Sequence, residues 1–83
     1  MRVMQTILVS KAAASTRRKA EGIARAHADR IYTSRETPNY WRFRQRPTSC
    51  FRGGFQSAKI RDGKVILVYG TLREGAKNQK ACR

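Results

Sequence analysis

In the segment Tyr40-Trp41-Arg42-Phe43-Arg44-Gln45-Arg46, three arginines recur at every second position. An extended chain turns alternate side chains to opposite faces, so this spacing sets Arg42, Arg44 and Arg46 in a ladder with steps of about 7 Å. Guanidinium groups spaced in this way suit the successive phosphates of a nucleic-acid backbone, and Tyr40 at the end of the ladder offers a ring for stacking on a base. Trp41 and Phe43 take the opposite parity and are read as core. Arg17, Arg18, Lys19 and Arg25 form a second basic cluster around the start of a helix, where backbone N–H groups also favour an anion. The plain alternative for both groups is a solvated outer face.

Catalytic chemistry has little to draw on. The carboxylates Glu21, Asp29, Glu36, Asp62 and Glu74 are scattered through the 83 residues with no evident pair. His27 stands alone on an apolar stripe and is read as structural. Gly53-Gly54 lacks the Gly-Lys-Ser and helix of a phosphate loop, and no metal-ligand spacing or cofactor motif occurs. The expectation is a non-enzymatic protein with no cofactor and no metal. Cys50 and Cys82 belong to no paired motif; two reduced thiols are expected, with one disulfide between them the alternative for a secreted chain.

The charge balance is the strongest feature of the composition. Nineteen Lys and Arg face 5 Asp and Glu, a formal charge of +14, and self-repulsion at that level is relieved by a polyanion or an acidic surface. Arginine, whose planar fork matches phosphate and carboxylate, supplies 13 of those cations. No apolar run reaches the length of a membrane span, and the Val3–Val9 stretch, broken by Gln5 and Thr6, makes a poor signal peptide. A cytoplasmic protein that does not engage membranes is expected.

These groups must be positioned by one small core. Val3–Val9 reads as a strand, with Val3, Ile7 and Val9 on one parity and Met4 and Leu8 on the other. Ser15 is the expected N-cap of a helix running to about Ala28, with Gly22 placed where the helix crosses a sheet closely. Ile31–Glu36 is a short extended segment and Thr37-Pro38-Asn39 a turn into the arginine strand. Pro47–Gly54 reads as a loop carrying Arg52. Phe55–Arg61 and Lys64–Tyr69 flank Asp62-Gly63, a strong hairpin signal. The expected fold class is α+β, a two-layer sandwich of β-α-β-β-β order, with an antiparallel or mixed sheet and one helix packed on one face. The bare face would carry Tyr40 and the arginine ladder, joined by Lys59 and Arg61 from the neighbouring strand. Residues 1–72 would form this domain and residues 73–83 a mobile basic tail.

The run from Arg35 to Pro47, with a helix ending near His27 before it and a hairpin ending Val65-Ile66-Leu67-Val68-Tyr69-Gly70 after it, resembles a small domain common in phage and prophage proteins. The resemblance covers roughly residues 15 to 70 and centres on Tyr-x-Arg-Phe-Arg-Gln. Arginine here replaces much of the acid expected around that segment. A basic phage domain of this size is similar in kind to anti-CRISPR proteins, several of which are α+β domains that dock on type I effector complexes. The resemblance implies a phage-encoded inhibitor that binds the acidic surface of a Cascade-type effector complex and blocks or misdirects its DNA binding. It carries over no individual residue roles. The alternative expectation is a phage protein binding DNA or RNA backbones non-specifically through the same residues. An exposed sheet edge would also permit a homodimer.

Overall fold

The computed structural model describes residues 2–28 and 30–82, so Asp29 and Arg83 of the sequence reading lie outside the described residues. Among the described residues the chain forms strand β1 (Arg2–Ser10), helix α1 (Arg17–Arg25), and strands β2 (Thr33–Glu36), β3 (Tyr40–Arg44), β4 (Phe51–Ile60) and β5 (Val65–Leu72). Short 3-10 turns span Thr48–Cys50, Ala76–Asn78 and Lys80–Cys82. The strands make one antiparallel sheet in the order β2-β3-β1-β5-β4. The α+β class expected from the sequence is the one observed, with Thr33–Glu36 as an additional edge strand.

Ile7 and Val9 on β1, Phe43 on β3 and Val65 and Leu67 on β5 are buried in one cluster with Ala20 and Ala24 of α1. Ala20, Ile23 and Ala24 recur at i, i+3 and i+4, and the small alanines let the short helix lie close to the sheet. Its N-cap is Thr16 rather than Ser15, because the Thr16 Oγ1 accepts from the Lys19 N–H at 3.3 Å, three residues ahead. The helix ends at Arg25, short of Ala28. Gly22 is exposed, and a Cβ built there has nothing within 4 Å, so the expected close crossing is absent. Gly22→Ala is therefore expected to stabilise the domain by about 0.5–1 kcal/mol in a urea titration, by removing unfolded-state freedom without a clash.

A bulge between Met4 and Thr6 reverses the expected parity in β1. Met4 packs towards the helix-side core, whereas Val3 pairs opposite Gly70 and joins a second cluster with Cys50, Phe51, Leu72, Ala76 and Cys82. That cluster lies on the sheet face opposite the helix. A Cβ on Gly70 would meet the Phe51 ring at 2.6 Å and the Phe55 ring at 2.9 Å, so only glycine lets these rings lie across β5.

The segment after Leu72, expected as a mobile tail, instead folds back over this end of the open face. Cys50 and Cys82 are joined by a disulfide with Cα atoms 5.6 Å apart, the alternative to the two reduced thiols expected first. The last turn is also held from below: Arg30 Nη2 donates to the Ala81 carbonyl at 2.8 Å, and Arg46 Nε to the Cys82 carbonyl at 3.0 Å. No helix among the described residues is long and apolar enough to cross a membrane.

Candidate nucleic-acid interface

The registers assign the remaining basic residues to faces. Arg42 pairs with Leu8 on one side and Arg35 on the other, and Leu8 continues through Ile66 to Lys59. The next row along the strands runs Thr33, Arg44, Thr6, Val68 and Ser57. Both rows lie on the face away from α1, since the intervening residues Phe43, Ile7 and Leu67 fill the helix-side core. Tyr40, opposite Ser10, belongs to the same face.

At the β2 edge, Arg35, Arg42 and Arg44 line a pocket of about 490 Å³ with Thr33 and Ser34. The hydroxyl and guanidinium groups there are hydrogen-bond donors, and among the described residues no carboxylate pairs with any of the three arginines. Partial burial and the positive charges of Arg44 and Arg35 hold the Arg42 pKa below its usual range. Arginine stays protonated at neutral pH nonetheless, so the three like charges persist in the pocket. Arg35 was not among the candidate residues read from the sequence. The cross-strand pairing of Arg35 with Arg42 depends on the β2–β3 hairpin register, which Thr37 fixes through bonds between its backbone and hydroxyl and Tyr40.

Several expected members stand elsewhere. Arg46 lies beyond the end of β3 and is only 7% exposed, with its Nη1 donating to the Met4 carbonyl at 2.8 Å as well as its Nε to Cys82. It is a structural residue beneath the C-terminal turn, because that turn packs over the continuation of the ladder. Arg61 is in the β4–β5 turn at φ 53°, not on a strand, followed by Asp62 at 57° and Gly63 at 80°. The connection thus spans residues 61–64 rather than a two-residue Asp-Gly loop. Lys59 does face the open side, but β1 and β5 separate it from Arg42, a distance of about 14 Å at ~4.8 Å per strand. Arg52 is not in a loop: β4 already begins at Phe51, and Arg52 pairs with Thr71, whose alternation with Val65 and Leu67 places it on the helix side.

The helix cluster is on the face opposite the pocket. Arg17 lies over the Trp41 ring at 6.0 Å, alongside Lys11 at 5.2 Å, and Arg25 Nε meets Glu21 Oε2 at 3.2 Å. Arg18 and Lys19 are exposed, with no carboxylate partner among the described residues. Trp41 packs against the core and its indole N–H donates to the Ala14 carbonyl at 3.0 Å, as suits a structural residue. On this face Glu36 pairs with Lys11, whose ammonium holds the Glu36 carboxyl below the usual carboxylate range. The His27 ring Nε2 is buried without a partner among the described residues, and no group of three His, Cys, Asp or Glu is placed there to hold a metal ion.

A two-layer α+β domain with basic residues on both faces is the class these features define. No protein-family model, curated protein or solved structure matches the chain.

Proposed function

We propose that this domain is a non-enzymatic binder of nucleic-acid backbones, with phosphates seated on Arg35, Arg42 and Arg44. The observation that carries the reading is the meeting of these three guanidiniums and the Thr33 hydroxyl in one pocket, with no acid among the described residues paired to them. Each neutralised phosphate releases counterions, so binding should weaken steeply with salt and show little preference among sequences. The test is a fluorescence-anisotropy titration of DNA at several salt concentrations with Arg35→Glu/Arg42→Glu/Arg44→Glu. The expected result is a loss of about a hundredfold or more near physiological salt and a log–log salt slope shallower by roughly two to three. A triple variant that kept the original slope would overturn the assignment.

A second reading is favoured by the basic residues on opposite faces. Arg18 and Lys19 on the helix side would dock on an acidic surface of a bacterial effector complex while the pocket face holds DNA beside it. A phage-encoded inhibitor of CRISPR–Cas immunity working in this way would misdirect the effector's DNA binding. It requires a protein partner that stays bound in a pull-down after nuclease treatment, whereas the first reading expects only nucleic acid to be captured.

A further inference from the structure

The open face offers more than a phosphate pocket. Between the arginines on β3 and Lys59 on β4, the registers place Leu8, Ile66 and Val68 side by side, each only partly covered. Tyr40 stands at one end of this apolar strip. At the other end Phe55, 43% exposed, lies edge-on to Phe51 with ring centroids 5.5 Å apart. From the Tyr40 row to the Gly70 row the strip runs on the order of 20 Å, at ~3.3 Å per residue of β1. The C-terminal turn covers the sheet from the Val3–Gly70 row onwards.

We propose that this strip is a platform for single-stranded nucleic acid, with bases laid on Leu8, Ile66, Val68 and the rings of Tyr40 and Phe55, and phosphates held by Arg35, Arg42, Arg44 and Lys59. The proposal rests on the backbone-binding reading and adds which form of nucleic acid is bound. The pattern of charge is what selects this occupant. A duplex keeps its bases stacked inside and presents phosphates, so it would leave the apolar strip unused. A single strand offers flat apolar bases together with its phosphates, and bases stack on such surfaces with little regard to sequence. Three of the four described carboxylates stand away from the strip: Glu21 is on the helix, Glu36 is paired with Lys11 and Asp62 is in the β4–β5 turn, whereas Glu74 belongs to the C-terminal segment that closes one end of the face. The length of the strip accommodates a few bases laid flat, each of which takes more length than the ~3.4 Å rise of a stacked strand.

The test compares a 12-nucleotide oligo-dT with a 12-base-pair duplex and a glutamate-rich peptide of similar charge, using the full chain with its disulfide intact. Single-stranded DNA is expected to bind about tenfold or more tighter than the duplex at moderate salt. Tyr40→Ala and Phe55→Ala should each weaken oligo-dT binding by about fivefold to tenfold while leaving the duplex unaffected, and Ile66→Thr, which keeps the β-branch, should act in the same direction. Thermal melts of each variant check that the fold persists. Duplex binding equal to or tighter than oligo-dT, with no effect of the ring deletions, would overturn the single-strand proposal and leave the phosphate pocket standing. Failure to bind either nucleic acid would overturn the backbone reading itself. Peptide binding as tight as oligo-dT and dependent on Ile66 would replace the occupant with an acidic protein segment.

Discussion

Reduction of Cys50–Cys82, or replacement of both residues by Ala, is expected to lower the unfolding free energy by roughly 3–4 kcal/mol. The bond joins positions 32 apart, and closing a loop of that length removes this much unfolded-state entropy on the chain-entropy account. For a domain of this size the loss corresponds to a fall in Tm of on the order of 15–25 °C, a large part of the stability such small domains possess. The effect should be visible in urea or thermal melts with and without reductant, and the Cys50→Ala/Cys82→Ala variant should be insensitive to reductant. The same bond bears on setting. In a reducing cytoplasm both thiols would be kept apart. The C-terminal turn would then depend on the hydrogen bonds from Arg30 and Arg46 and on the contacts of Phe51, Leu72 and Ala76. An unchanged Tm under reduction would mean that those contacts alone hold the turn.

Periodicity made most of the helix-side core legible. Ile7, Val9, Phe43, Val65 and Leu67 alternate within their strands, and Ala20 and Ala24 recur at helical spacing, so each signal agrees with the layer it builds. Where the alternation is interrupted, local pattern gives the wrong face. Gln5 occupies the β1 bulge, and one extra residue sends Val3 to the side away from Ile7. The site was legible in part for the same reason: Arg42 and Arg44 alternate on an uninterrupted strand, and Tyr40 shares their parity. Arg35 was missed because its place beside Arg42 is set by pairing between strands, which alternation within one strand does not contain. Lys59 was put too near Arg42 because chain order suggested adjacent strands, whereas β1 and β5 sit between them. The C-terminal segment looked like a tail since it carries few apolar residues. Its order comes from a covalent bond and from arginine-to-carbonyl hydrogen bonds, neither of which leaves a hydrophobic period.

Arg46→Met is expected to destabilise the domain by about 3 kcal/mol, although the same replacement at Arg42 should change stability by no more than about 0.5 kcal/mol. The two residues share a parity and differ in what covers them. Arg42 stands in an open pocket facing solvent, where surface substitutions cost little. Arg46 is buried and ties the Met4 carbonyl at the edge of the β1 bulge to the Cys82 carbonyl of the last turn. Met fills much of the same volume but donates nothing, and each buried carbonyl left without its charged donor costs about 1–3 kcal/mol. Arg46→Lys should recover only part of the loss, because a single ammonium does not reproduce the planar fork that reaches two carbonyls on different segments. Urea titrations of the three variants check the ranking. The binding readout should reverse it: Arg42→Met shallows the salt slope, whereas the folded fraction of Arg46→Met keeps it. A stable Arg46→Met protein with a shallower slope would instead return Arg46 to the exposed ladder that alternation alone suggests.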